Sequence, residues 1–432
     1  MSEQIVEQMR ADWNARAAED ANYYVAFGRR DQDEEGFDAT GEEIVHGLRW
    51  EMRRLPEGSP RARRALEIGC GPGRLLKPMS RYFGEIHGVD ISDRMVERAR
   101  GRLQGIPHAH AHVALHSNLE MFADESCDFV YSYAVFQHIP SREVVLGYLR
   151  EARRVLKTGG LLRCQINGLP ETAAHYDTWS GVRISAAELE AFCRENDLQM
   201  LALEGVSTQY MWTTLRKQPA GWAAAVTRPE GPIQIRRITN AETSEPLAPA
   251  RGRYAALALW LDNMPPFCDL LHFEVTVGGV RGRLTYLGPR ERDGLTQVNL
   301  RLPEGVGTGL QPVQLGWRGE AWGAPGKVRI IPPQALVPRL VALSDGVNLV
   351  SGARIETRSV KLTIEEVTRP AELSATVDGM PVEEMEFFCT DPLPPRYEVN
   401  FRLPGAVGVG GHELRLQLGR RLMGSVRLDV VA

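Results

Sequence analysis

The chain has 432 residues, 43% of them hydrophobic and 25% charged, with a formal net charge of -4. At about 150 residues per domain there is room for two or three domains with real cores, and the slight negative charge gives no electrostatic case for nucleic acid or an anionic membrane as partner. No run approaches the roughly 20 apolar residues of a membrane span, and six scattered cysteines (Cys70, Cys127, Cys164, Cys193, Cys268, Cys389) without a CxxC pair read as reduced thiols of a cytoplasmic protein.

The opening "MSEQIVEQMRADWNARAAED" is charged and helix-like and lacks the apolar centre of a signal peptide. Ile5, Met9 and Trp13 fall on one helical face and "NYYVAFG" follows. Residues 1–55 therefore read as helical. "RALEIG" is a buried strand. It ends in Gly69, Gly71 and Gly73, where a side chain would block close approach of a ligand and the turn calls for positive φ. A GxGxxG fingerprint would need a glycine where Arg74 stands, and no Lys-Ser/Thr follows as in a P-loop. The next strand, "EIHGVDI", ends at Asp90, about 20 residues on, where a carboxylate can accept both hydroxyls of a ribose. Glycine loop and acid together indicate a ligand containing a nucleoside.

Helix "RMVERARGRL" carries Met95, Val96, Ala99 and Leu103 on one face with Ser92 as N-cap. In "HAHAHVALH", His108, His110 and His112 alternate, so on a strand they share a face; a solvated edge is the expected reading and a metal site is not. "CDFVYSYAV" and "GGLLRCQI" are further buried strands. Between them "SREVVLGYLREARRVL" is an amphipathic helix capped by Ser141, and "SAAELEAFCREN" opens on a capping box, Ser185 to Glu188. Strand–helix alternation implies a parallel sheet covered on both faces. Long loops at the carboxyl end of such a sheet form substrate walls, and "NGLPETAAHYDTWSGVRIS" offers His175, Tyr176 and Trp179.

Beyond Lys217 the chain changes character. "RKQPAGWAAAVTRPEGP" is a connector, and afterwards short alternating runs broken by Gly, Pro and Asp mark antiparallel sheets. "TQVNLRLPEGVG" returns as "YEVNFRLPGAVG" about 100 residues later, the size of one β-sandwich. The boundaries expected are an α/β domain at 56–217, a linker at 218–230, and sandwiches at 231–332 and 333–432, and a fragment ending near Lys217 is expected to fold alone. Trp260, Phe267, Trp317 and Trp322 read as core or turn residues rather than a sugar-stacking surface.

"EIGCGPGRLL", "GVDIS", "FADESCDFVYSYAVFQHIP" and "EARRVLKTGGLL", in this order over residues 60–215, resemble the class I S-adenosylmethionine-dependent methyltransferases, close to the small-molecule, ubiquinone-biosynthesis-like branch. The resemblance implies a Rossmann-like sheet of seven strands with the last antiparallel. It also implies S-adenosylmethionine as cofactor, held by Glu67, Gly69, Cys70, Gly71, Gly73, Asp90, Ile91, Asn118, Leu119 and Tyr133. Asn118 stands where the family often has Asp; its carbonyl oxygen can still accept from an exocyclic amine. The resemblance implies as well that residues 1–55 form a helical cap folded over the ligand, with Tyr23 or Tyr24 contacting it or simply packing on the sheet. Gln137 and His138, in "VFQHIP", would line the methyl-donor pocket, with His138 the candidate general base or a packing residue. The β half resembles immunoglobulin-like or IPT/TIG-like modules through its "VNxxLP" strand, which implies a glycan or protein contact. The expected function is methyl transfer to an oxygen of a small molecule, a sugar, a lipid-linked precursor or a secondary metabolite, in a bacterial cytoplasm. The competing reading is a scaffold whose sandwiches carry the function and whose methyltransferase fold is inactive.

Overall fold

The computed structural model describes residues 2–26, 33–116, 118–172, 176–228, 230–231, 233–347, 351–391 and 395–431. The chain divides into two compact units, one made of residues 1–25 and 33–332, the other of 26–32 and 333–432.

The first unit begins with helices α1 (Ser2–Val25) and α2 (Glu34–Met52). Asp20 breaks α1 (φ -161°, ψ 92°) and its carboxylate accepts from the Tyr23 backbone N–H, so the last turn is capped anew. Then come β1 (Arg64–Ile68), the short α3 (Leu76–Met79), β2 (Glu85–Asp90), α4 (Asp93–Arg102), β3 (Ala109–Val113), β4 (Cys127–Ser132), α5 (Arg142–Val155), β5 (Leu156–Ile166), α6 (Ala186–Glu195), β6 (Leu198–Glu204) and β7 (Met211–Lys217). The sheet order is β3-β2-β1-β4-β5-β7-β6, with the first five strands parallel and β7 antiparallel to both neighbours. This is the doubly wound sheet that the sequence alternation requires.

The helices form where periodicity and caps coincide. On α5 the residues Val144, Val145, Tyr148, Leu149, Ala152 and Val155 are all buried. Ser92, Ser141 and Ser185 accept from the N–H groups of Met95, Val144 and Glu188. The capping box at Ser185 is half used, because the Glu188 carboxylate pairs with Arg142 instead.

The sheet does not stop at the methyltransferase-like part. Strand Arg283–Arg290 pairs antiparallel with β6 at Tyr286 and Ala202, and strands Thr296–Arg301, Ala256–Asp262 and Gln234–Asn240 extend it to eleven strands. A six-stranded sheet closes this first sandwich, and one hydrophobic cluster runs through both parts, from Leu66 and Val130 to Phe273, Val298 and Leu315. Past β7 the chain stays docked at residues 221–223: Asp197 accepts from the N–H groups of Gly221 and Ala223, and Trp222 packs edge-on against His272. Trp317 and Trp322 are core residues, 3% and 5% exposed. The second unit is a sandwich of four and five strands with its own core, including Val360, Leu362, Phe401, Leu414 and Leu428. No described helix is long and apolar enough to cross a membrane.

Candidate functional site

All three glycines of the loop after β1 have positive φ: +72° at Gly69, +50° at Gly71 and +82° at Gly73. A Cβ on Gly69 would lie 2.3 Å from Val135 Cγ2, one on Gly71 3.3 Å from Val25, and one on Gly73 3.2 Å from Ala99. Glycine is therefore fixed here by backbone conformation and by close packing of protein. Asp90 closes β2 beneath the loop. Its Oδ2 accepts from Gly71 N at 2.8 Å and its Oδ1 from Ser92 N at 2.9 Å. Burial pushes its pKa up to about 6, against the backbone hydrogen bonds that favour the carboxylate. Each carboxylate oxygen retains a lone pair for a further donor.

Glu67, next to last in β1, is 2% exposed and accepts from Tyr131 Oη at 3.0 Å. Burial raises its carboxyl well above the usual range, although Tyr131 and the charge of Arg74 act the other way. Arg74 is the residue that pattern reading passed over. It follows the third glycine, is 6% exposed, lies 5.2 Å above the Tyr133 ring and reaches Thr40 Oγ1. Its Nε has no partner among the described residues. A lone arginine in an otherwise apolar turn was the available signal.

The expected cofactor-contacting residues divide. Cys70 and Ile91 are buried beside the loop, and the Ile91 carbonyl accepts from Arg10 Nε. Burial raises the Cys70 thiol well above its ordinary value, so it packs as an apolar group. Tyr133 is half-buried and stacks on Trp212 with centroids 5.7 Å apart. Asn118 is half-buried and its side chain turns to Glu120. Leu119 is fully buried and its N–H is already donated to Glu151 at 2.9 Å.

The far wall is α1, whose side chains reach the segments that follow β1 to β5. Arg10 donates to the carbonyls of Ile91, Ala114 and Leu115. Asn14 accepts from Ser92 Oγ at 2.6 Å and donates to Asp93 at 2.7 Å. Arg16 donates to the carbonyl and hydroxyl of Thr178, whose hydroxyl donates to Asp12. Trp13 meets His138 edge-on at 5.6 Å. None of these polar residues has a sequence signature, since each bonds to a loop 75 or more positions away.

His138 sits inside this wall. It is 6% exposed, lies beside Trp13 and Trp179, and its Nδ1 is 3.1 Å from the Trp179 carbonyl. A carbonyl only accepts, so Nδ1 carries the proton and Nε2 is the free lone pair, 3.4 Å from Gln137 Nε2. Burial lowers the imidazole pKa to about 4. Gln137 is buried and its Oε1 has no partner among the described residues. Tyr23 is buried on α1, and Tyr24 is half-buried, bonds to Glu19 and meets Trp179 edge-on at 6.3 Å. Tyr176 is half-buried with its hydroxyl on Thr172, Trp179 is 45% exposed, and His175 lies outside the described residues.

The histidines of β3 stand at the edge of the sheet. His110 and His112 pack on His87, whose Nδ1 is 3.0 Å from His112 Nε2, while His108 turns to the Ser80 carbonyl.

Residues 66–164 match a family model described as a methyltransferase domain, under a quarter of the chain. A trans-aconitate 2-methyltransferase of Rhizobium rhizogenes is 32% identical over 105 residues, 24% of this chain and 38% of that protein. A ubiquinone biosynthesis O-methyltransferase of Ruegeria pomeroyi is 34% identical over 114 residues, 26% of this chain and 44% of that protein. The chain thus spans less than half the length of either relative. Among solved structures, the YcgJ protein of Bacillus subtilis is 24% identical, covers 38% of this chain and 71% of its own, and superimposes with a TM-score of 0.33. The family match supports a class I S-adenosylmethionine-dependent methyltransferase domain and implies S-adenosylmethionine as the methyl donor.

Proposed function

We propose that the chain is a methyltransferase that moves a methyl group from S-adenosylmethionine to an oxygen of a small-molecule acceptor. The observation that carries this reading is the loop of three positive-φ glycines over the half-buried Asp90 carboxylate, with Glu67 beside it and an Arg74 whose Nε has no partner among the described residues. The donor set fits the cofactor. Asp90 would accept from the ribose hydroxyls and Ile91 would pack on the adenine. Glu67 would face the methionine ammonium, and Arg74 would give its spare N–H to the carboxylate. Asn118 would take the adenine amine, whereas the Leu119 N–H is spent on Glu151.

When bound, the cofactor supplies an already activated methyl group. The remaining work of the chain is alignment and exclusion of water. Tyr133, Gln137 and the α1 residues Trp13 and Tyr24 would line the acceptor side. His138, with its pKa near 4, is a weak base at neutral pH and suits an accepting hydrogen bond better than proton abstraction. Five fully buried, unbridged cysteines support a reducing compartment, such as a bacterial cytoplasm. The tandem sandwiches are proposed as immunoglobulin-like modules that contact a glycan or protein.

Titration of the full chain with S-adenosylhomocysteine, S-adenosylmethionine and NAD tests the reading. Both sulfur compounds should bind and NAD should not. Asp90→Ala should weaken binding by about 2 kcal/mol or more, since it removes hydrogen bonds to a charged acceptor. Binding of NAD with no heat from either sulfur compound overturns it.

A further inference from the structure

Where the sheet passes from β6 into the first sandwich, one of its faces carries an unusual row of side chains. Register places Arg163, Thr214, Ala202, Tyr286, Asn299 and Ala258 side by side across six strands. Directly paired residues share a face, so the row continues from the methyltransferase strands into the sandwich. A cavity of about 410 Å3 opens over it, lined by Gly47, Trp50 and Glu51 of α2 and by Arg163, Glu204, Tyr286, Glu291, Gln297 and Asn299. That volume lies within the roughly 300–1,000 Å3 of small-molecule sites.

The charges of this cavity cancel. Glu204 is bonded to Arg163 at 3.0 Å, Glu51 to Arg54 at 2.7 Å and Glu291 to Arg53 at 2.7 Å. Neither an anion nor a cation has a free counter-charge there. What remains are uncharged hydrogen-bonding groups. Gln297 Nε2 donates to Asn299 Oδ1 at 2.8 Å, which leaves Gln297 Oε1 as acceptor and Asn299 Nδ2 as donor without a protein partner among the described residues. Among the lining residues Trp50 is 57% exposed and has the Arg53 guanidinium 5.0 Å over its ring, which leaves its other face as a flat apolar surface beside a polar hollow. Fixed carboxylate–guanidinium pairs, a free amide donor and acceptor, and an exposed indole are complementary to a neutral, hydroxyl-rich ring with one apolar face.

The cavity also adjoins the proposed methyl-transfer site through side chains in contact. Arg163 lies 4.6 Å over the Trp212 ring, Trp212 stacks on Tyr133 at 5.7 Å, and Arg74 lies 5.2 Å over Tyr133. We infer that this cavity binds a neutral saccharide and holds the sugar part of the acceptor while another part reaches the methyl donor. Its acceptor role rests on the proposed methyltransferase function; the binding of a saccharide does not.

The experiment titrates the full chain first with S-adenosylhomocysteine, then with glucose, galactose, mannose, maltose and cellobiose, by calorimetry and saturation-transfer NMR. At least one sugar should saturate the protein at millimolar concentration or below, and disaccharides should bind tighter than monosaccharides if a chain end is recognised. Trp50→Ala, at an exposed position, and the isosteric Glu204→Gln should each weaken that binding tenfold or more and leave S-adenosylhomocysteine affinity within twofold. The inference is overturned if a protein that binds S-adenosylhomocysteine binds none of the sugars, or if both variants bind sugar like the parent. Sugar binding that depends on Trp50 in a protein blind to S-adenosylhomocysteine would keep the cavity and remove the methyltransferase.

Discussion

Asp90 and His138 are two titratable groups whose shifts run in the same physical direction, toward the neutral form, and have opposite consequences for pH. The Asp90 pKa is raised to about 6, so the folded protein binds this proton more tightly than the unfolded chain does, and the stability gained from it is lost as pH rises from about 4 through 6. In the proposed reading the ionised form accepts from both ribose hydroxyls. Affinity for S-adenosylhomocysteine should be flat above about pH 6.5 and fall by up to tenfold per unit below pH 6, and calorimetry across pH 5–8 should show the slope vanish in Asp90→Asn. The His138 pKa is lowered to about 4. Its contribution to stability is therefore complete above the unfolded value of 6.5 and is lost as pH falls from there toward 4. Turnover on the true acceptor should show no histidine limb near pH 6.5. His138→Ala should lower the melting temperature by several degrees through the cavity it opens and reduce turnover less than tenfold. A limb at pH 6–7 that disappears in the variant, with a loss of a hundredfold, would restore the histidine as base.

At the scale of elements, α1 is the decisive one. It is tied to the loops after β2, β3 and β5 by Arg10, Asn14 and Arg16, and it places Val25 against Gly71. Net hydrogen bonds of this kind contribute about 0.5–1.5 kcal/mol each, and they add to the apolar face that α1 buries through Val6, Met9, Ala17, Ala21 and Tyr23. Arg10→Ala with Asn14→Ala should speed dissociation of S-adenosylhomocysteine roughly tenfold and raise hydrogen exchange along α1, while the amides of β1 and β4 stay protected. Unchanged dissociation and exchange would show that α1 is a fixed wall. The capping serines show the opposite kind of element, in which sequence and structure coincide. Each cap is made within three residues, and the apolar stripe beside it needs only a period of 3.6.

For the whole molecule, the eleven-stranded sheet decides what can fold alone. Removing everything after Lys217 would leave β6 as an open edge and deprive the buried Gln199 amide of the Pro266 and Cys268 carbonyls it now donates to, both at 2.8 Å. Residues 1–217 should therefore aggregate or melt without cooperativity. Residues 1–332, which end where the first compact unit ends, should be monomeric and bind S-adenosylhomocysteine within threefold of the full chain. Size-exclusion chromatography and thermal melts of the two fragments check this, and a soluble, cooperatively melting 1–217 fragment would give the catalytic domain back its independence.

The order and type of the elements, the helix caps and the glycine turn after β1 were legible in the residues alone. Each depends on short-range rules: periodicity, caps, and backbone conformations that only glycine adopts readily. Tertiary structure decided the rest. Arg74 became part of the site because the fold buries it beside Glu67 and Tyr133 and leaves its Nε unpartnered. His138 lost its basicity because Trp13 and Trp179, 125 and 41 positions away, exclude water from it. The join between β6 and the first sandwich is made by backbone groups at a strand edge, and backbone pairing carries no side-chain signature, so a change of composition at Lys217 could mark where the architecture changes but not that the sheet runs on through it.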